Sequence, residues 1–444
     1  MNTGAPGARS LGRKLSLGAS PLLVALTLIA LPSRAMALQS LQEFLAAAEE
    51  VAFDNREQRA IVEEADARTE VTRSALLPSI SATGSYTRNE HEVLVTLPTG
   101  ATGGTRQVTF TPYDQLEAVF TLEVPLVDAS GIVRLAAARE SEDATRLAAE
   151  AASRQVAARV VAAYYQYVAA TALVDSARVA LEAARDSQAY VQQRANSGLE
   201  SDLDVERATA ELERARQTVA EAEQTLSSSA RSLHSLSGVE PSAGAPPLPE
   251  DLDVEAPLAS WIETVESRPE VIAADLSVRA AKRSVTADWM AFVPTLSARA
   301  SERLTNAEGF GEPTAWSASL ALSFRAGVGP VMSARASEAA LEAALVRADR
   351  ARQEGRDQIE ELWEQIGTLR VQCEAARAQA VAARRAASIA HDRLHAGSVT
   401  LLDVVQADRD ALGAEVSRLQ AFAELANARA QLRIVSGRFG EGRD

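Results

Sequence analysis

The chain has 444 residues, 45 basic and 60 acidic side chains, a formal net charge of −15 and a single cysteine, Cys373. That acidic balance excludes a nucleic-acid partner, which needs clustered positive charge, and a lone thiol permits no internal disulfide. Length alone suggests two or three domains, a prior that an internal duplication overrides.

The N-terminus reads as an export signal. Arg9, Arg13 and Lys14 form a basic region, Leu22 to Leu31 is apolar except for Thr27, and Ala35-Met36-Ala37 fits a small-x-small cleavage site. The pattern predicts a signal peptide over 1–37, removed after Ala37. The rival reading is a retained anchor, but the apolar stretch is too short to span and is bounded by Ser20-Pro21 and Pro32. Cleavage leaves 41 basic against 60 acidic side chains, a net charge of −19. No cysteine follows the cleavage site, which excludes a lipid anchor there. No later run approaches the roughly 20 apolar residues of a spanning helix, so a mature protein lodged in a membrane must sit there by strands.

The first repeat is expected over 38–237. It opens with a helix near 38–76. After Leu77-Pro78, Ile80, Ala82, Gly84 and Tyr86 alternate with Ser and Thr; a Gly/Thr-rich loop follows near 88–112. Leu116, Ala118, Phe120, Leu122 and Val124 then alternate with Gln115, Glu117, Thr121 and Glu123, closing a hairpin over about 79–126. A long helix is predicted at 129–196. Its seam, Val156, Val160, Ala163, Tyr167, Ala170, Val174, Ala177, Leu181 and Ala184, alternates steps of four and three, the heptad pattern of close helix pairing. A shorter helix follows Gly198, at 200–237.

A Pro-rich linker at 238–257 leads into a second repeat over 258–437, with 438–444 as a tail. A helix near 257–291 precedes a hairpin at about 295–325, in which Leu296, Ala298 and Ala300, then Trp316, Ala318, Leu320, Leu322 and Phe324, alternate with polar residues. The long helix at 328–396 repeats the first seam 199 residues on, through Ile359, Leu362, Ile366, Leu369, Cys373, Ala376, Ala380 and Ala383. The last helix lies at 400–437. Asn196 to Val205 reappears as His395 to Val404 at the same offset, with Gly198/Gly397, Leu203/Leu402, Asp204/Asp403 and Val205/Val404 in register.

A helix of about 70 residues is roughly 100 Å long, of little use in a globular domain but suited to bridging the gap between membranes. Dyad alternation over about ten residues marks a transmembrane barrel strand with a wet lumen; a soluble hairpin packed on a helix shows the same pattern. The export signal and the long helices favour the barrel. Four strands cannot close one, since barrels start at about eight, so several chains must share it.

Leu77-Pro78-Ser79-Ile80, Val293-Pro294-Thr295-Leu296, Val124-Pro125-Leu126-Val127-Asp128, Ser267-Arg268-Pro269-Glu270-Val271 and the paired Gly-x5-Asp-Val turns together resemble the TolC-type outer-membrane efflux factor family, over about 40–437. The resemblance implies a mainly α fold with a β-barrel part: a homotrimer whose long antiparallel helices form an α-helical barrel through the periplasm, each chain adding four strands to a shared transmembrane barrel in the bacterial outer membrane. It implies docking on a periplasmic adaptor (membrane fusion protein) and an inner-membrane pump, in a tripartite efflux or type I secretion system. In the family the two turns lie at the periplasmic tip, so Gly198, Asp204, Gly397 and Asp403 are the expected adaptor contacts. Asp403 matches an entrance-lining aspartate, with Asp204 its repeat partner. Against the best-known member, Gln406 replaces a second acid, Val399 a gating arginine and Leu394 a gating tyrosine, so closure here uses other contacts.

Two readings stand for Asp403, a lumen-facing ring residue or a surface acid near a helix N-terminus, where it favours the dipole; Asp410, seven residues on, extends the same face. Gly198 and Gly397 read as helix C-caps in positive φ, or as hinges. His391 and His395 are four apart, a spacing open to metal, yet histidines near a helix C-terminus also suit its dipole and Asp392 points off their face. His91 and His234 are expected in solvent, and Cys373, at the seam position of Val174, in the core with Tyr164, Tyr165 and Tyr167. No phosphate loop, Ser/His/Asp set or general-acid pair occurs at a persuasive spacing, so no enzyme activity, cofactor or metal is expected. The competing reading is an elongated coiled-coil periplasmic adaptor or structural protein without a channel. Intact-mass measurement of the exported protein is expected to give a chain starting at Leu38; a retained N-terminus would support the anchor.

Overall fold

The computed structural model describes residues 38–99, 104–242, 244, 246–308 and 312–439. The expected signal peptide and residues 440–444 of the tail lie outside the described residues. In chain order the elements are α1 (Leu41–Val51), α2 (Phe53–Ser74), β1 (Ser79–Arg88), β2 (Val93–Thr99), β3 (Gly104–Thr111), β4 (Asp114–Val127), α3 (Ala129–Asn196) and α4 (Asp202–Ser237). There follow α5 (Leu258–Ile262), a 3₁₀ turn (Val265–Ser267), α6 (Pro269–Met290), β5 (Thr295–Thr305), β6 (Thr314–Ser323), α7 (Val328–His395) and α8 (Leu401–Val435). The chain is mainly helical. Among the described residues no helix is long and apolar enough to cross a membrane.

α3 and α7 have 68 residues each, about 100 Å of helix. The heptad positions explain how they pack: Val156, Val160, Tyr167 and Val174 are buried on α3, and Ile359, Ile366, Cys373 and Ala380 on α7. Alanine at many seam positions brings α4 and α6 close to α3, and α8 close to α7. The two largest apolar clusters follow from this packing. Phe44, Val156, Val160, Tyr164, Leu233 and Leu419 form one, and Trp261, Val271, Ile359, Ile366, Phe422 and Leu432 the other.

Three expectations are corrected. The helix expected near 38–76 breaks at Ala52 (φ −54°, ψ 131°). Side chains bind the carbonyls at the break: Asn55 donates to Ala48 O at 3.0 Å, beside the Ala52 N–H, and Arg59 to Glu49 O at 3.2 Å and Glu50 O at 2.7 Å. The helix expected near 257–291 is α5, a 3₁₀ turn and α6, because Pro269 occupies the first turn of α6 and holds Arg268 extended (φ −71°, ψ 137°). The loop expected near 88–112 contains β2 and β3, an antiparallel pair of their own.

The main sheet has the order β1-β4-β5-β6, antiparallel throughout. It is an open four-stranded sheet, not a closed barrel. Register sorts its faces. Ile80 lies opposite Leu122, Leu122 opposite Ala300, and Ala300 opposite Ala318; Ala82, Phe120, Glu302 and Trp316 form the next row. One face is therefore largely apolar, with Glu302 and the Arg88–Asp114 pair at one end its charged exceptions, and the other carries mainly Ser, Thr, Glu and Arg. The apolar face stays uncovered within the chain: Ile80 is 80% exposed and Trp316 81%. Tyr86, Tyr113 and Trp316 lie toward one end of the sheet, and Trp289, Phe292 and Phe324 toward the end that meets the helices.

The linker is strapped down by arginine. Arg429, 6% exposed, donates to the carbonyls of Asp251 (3.0 Å) and Asp253 and pairs with the carboxylates of Asp251 (2.8 Å) and Glu255 (3.0 Å). Trp261 and Trp363 both donate to Ala256 O. Buried Arg268 reaches Gly355 O at 3.0 Å and Gln358 at 2.8 Å, and a Cβ on Gly355 would sit 3.4 Å from that guanidinium. Arg429→Met removes the linker's charged anchor and is expected to cost about 2–3 kcal/mol. The check is a glutamyl endopeptidase, which should cut at Glu250 and Glu255 markedly faster; an unchanged rate contradicts the strap.

Candidate functional site

The site is built from two turns. At the end of α3, Gly198 stands at φ +73°, its N–H bonding Ala195 O at 2.9 Å while Leu199 N–H bonds Arg194 O at 2.9 Å. At the end of α7, Gly397 stands at φ +71°, with Gly397 N–H to Leu394 O and Ser398 N–H to Arg393 O, both at 2.9 Å. Each is the double-bonded left-handed cap that closes a helix over its last carbonyls. A side chain on either glycine would strain the backbone, so the C-cap reading of Gly198 and Gly397 accounts for both.

Each turn then restarts a helix on a hydroxyl N-cap, with the full reciprocal box only at Thr400. Ser201 accepts from Asp204 N–H at 3.2 Å and donates to its carboxylate at 2.6 Å. Thr400 accepts from Asp403 N–H at 3.3 Å, while the Asp403 carboxylate accepts from Thr400 N–H at 2.9 Å and from its hydroxyl at 2.7 Å. These bonds from Thr400 hold the Asp403 carboxyl below its ordinary range. Asp403 is therefore the third residue of a capping box. Its side chain is exposed, as are those of Gln406 and Asp410, and Gln406 donates to Asp410 at 2.9 Å. The three share one acidic stripe on α8.

The two turns are tied together. Val191, Ala208, Leu401 and Val405 form a small buried cluster beneath them. Arg409 on α8 reaches both carboxylate oxygens of Glu211 on α4, its Nε at 3.2 Å from each. Tyr190 donates to Leu394 O at 3.4 Å, and its ring meets His395 edge-on at 4.6 Å. Leu394 itself is buried. These contacts stand in the region where the resemblance implied a different latch at 394 and 399.

His391 does not share a centre with His395: its Nε2 lies 2.9 Å from Asp408. Among the described residues no group of three or more His, Cys, Asp or Glu is arranged to hold a metal. His91 and His234 are exposed. Cys373 is buried on the seam, and burial pushes its thiol up to about 11. Tyr164 lies against Phe44 and Tyr165, with ring centroids 5.9 and 5.5 Å away, as core packing. Sequence reasoning missed Ser201 and Thr400, although Ser/Thr-x-x-Asp was legible, and missed Tyr190, Asp408, Glu211 and Arg409, which carry no local signal.

The fold is that of solved outer-membrane channels. The outer membrane channel CmeC of Campylobacter jejuni superposes with a TM-score of 0.76 at 17% identity, over 92% of this chain and 88% of that one. A membrane protein from Pseudomonas aeruginosa gives 0.74 at 21% identity, over 89% and 93%. Fusaric acid resistance protein FusA of Burkholderia cepacia is 28% identical over 275 residues, 61% of this chain and 50% of that protein, so the chain spans about half the length of this curated relative. The model of the family described as outer membrane efflux protein matches residues 45–239 and 263–438, and the chain belongs to that family. It is an outer membrane efflux protein by family, with the fold of the solved channels above.

Gly397→Ala is expected to cost about 1–2 kcal/mol at the turn, read as faster amide exchange over 394–404. Gly397→Asn, which tolerates left-handed backbone, should recover most of it; equal exchange in all three proteins contradicts the cap.

Proposed function

We propose that this protein is the outer-membrane exit duct of a tripartite efflux or type I secretion system, conducting substrates passively across periplasm and outer membrane. A homotrimer supplies the duct. Three copies of the four-stranded sheet make twelve strands, each chain's β6 pairing with β1 of the next. Because β1 and β6 run in opposite directions, head-to-tail joining keeps every pair antiparallel. The long helices of the two structural repeats, 38–237 and 258–437, continue the lumen through the periplasm as an α-helical barrel. A periplasmic adaptor and an inner-membrane pump complete the path, and export follows removal of 1–37.

One observation carries this reading: a sheet with an apolar face uncovered by the described residues, a polar reverse and, among those residues, two unpaired edges. β6 has ten residues, about 33 Å along the strand and roughly 25 Å tall once tilted, the height of a barrel's lipid-facing band. The aromatic residues toward its two ends fit the two interfaces. A soluble adaptor has no use for such a face.

At the periplasmic end, Asp403, Gln406 and Asp410 from each copy form the entrance constriction, where an acidic ring favours cations. Gly198, Asp204, Gly397 and Asp403 mark the turns that meet the adaptor. The test is single-channel recording in planar bilayers. Asp403→Ala, with Thr400 left to cap, should weaken block by multivalent cations several-fold; unchanged block removes Asp403 from the constriction, and the absence of any conductance removes the duct.

A further inference from the structure

The two helix-tip turns share their caps but not their titratable groups. Displaced by 199 residues, His391 and Asp408 become Gln192 and Thr209, which hold no charge across the histidine range. In the second turn the His391 imidazole Nε2 lies 2.9 and 3.0 Å from the two oxygens of Asp408, joining the end of α7 to the start of α8. Both side chains are about a quarter exposed (28% and 27%), so protons reach them. Around His391 stand Asp408 from α8, Asp186 from α3 and Asp392 from its own helix. Arg409, next to Asp408, is engaged by Glu211. Asp408, Arg409 and Glu211 line a cavity of about 340 Å³ among α3, α4 and α8.

We propose that the His391–Asp408 pair is a proton-operated clasp at the α7–α8 tip, gripping α8 when the imidazole is charged and loosening it when the imidazole is neutral. The α3–α4 tip, with Gln192 and Thr209, does not respond. This rests on the duct reading, in which that tip borders the entrance. The hydrogen bond that His391 donates to Asp408 is the largest influence and favours the imidazolium, burial opposes it, and the three carboxylates add to the first, so His391 titrates above its ordinary value. A group raised on folding contributes stability that is fully present below the unfolded value, near 6.5, and lost as pH rises through the folded one. The clasp is therefore firm in acid and weak on the alkaline side. A neutral ring still donates one hydrogen bond but forgoes the charge-assisted part, so the response is graded.

The experiment places one spin label per copy at Ala396→Cys, an exposed position beside Gly397; native Cys373 is buried and stays unlabelled. Distances between copies are measured in detergent at about pH 5.5 and 8.5, on either side of the histidine range. With His391 present the distribution should be narrow in acid and longer by several ångströms and broader in alkali. His391→Gln should give one distribution at both pH values, and His391→Arg, always charged, should stay narrow at both. A pH-independent distribution with His391 present, or an equal shift in His391→Gln, overturns the clasp while leaving the duct intact. No distance between copies at all overturns the duct itself, and the clasp with it.

Discussion

The outer edges of β1 and β6 carry backbone donors and acceptors that, among the described residues, no strand of the same chain takes up. In water such edges invite uncontrolled pairing, and in hydrocarbon each unmet group costs several kcal/mol. An apolar face bounded by two bare edges is therefore untenable for a chain alone. In the proposed trimer, strand pairing between copies would resolve both problems at once, satisfying the edges and turning the polar face into a lumen. The proposed arrangement of the long helices and the tips follows from that closure.

Below the sheet, small seam residues do a corresponding task. Ala170, Ala177, Ala376 and Ala380 are buried along the helix seams, so the helices pack there with small side chains. The larger ones gather near the linker instead, where Phe44, Trp261 and Phe422 fill the two clusters. Arg268 and Arg429 fix that level by binding backbone carbonyls. The tips are held by caps and a few polar contacts, which suits the proposed meeting with a partner there.

Periodicity made much of this legible. Steps of four and three foretold α3 and α7, and strict alternation foretold the sheet faces, because both follow from where a side chain points along a regular backbone. The break at Ala52 was not legible: no proline or glycine marks it, and Asn55 and Arg59 act only once the chain has turned. Pro269 did announce the start of α6, but the apolar pattern through α5 obscured it. In the first loop, Val93, Val95 and Leu97 alternate as β2 requires, yet the glycines and threonines around them read as a loop. The caps at Thr400 and Ser201 follow a local rule, whereas Arg409–Glu211 joins residues 198 apart in sequence and no pattern announces it.

The account stands on β6 of one copy pairing with β1 of the next. The direct measurement is disulfide cross-linking of cysteine pairs scanned along both edges, one between Thr83 and Tyr86 on β1 and one between Ser317 and Leu320 on β6, in membranes under mild oxidation. The account predicts a register at which denaturing gels show covalent trimer; monomer at every register, from material that fractionates free of membrane, contradicts it.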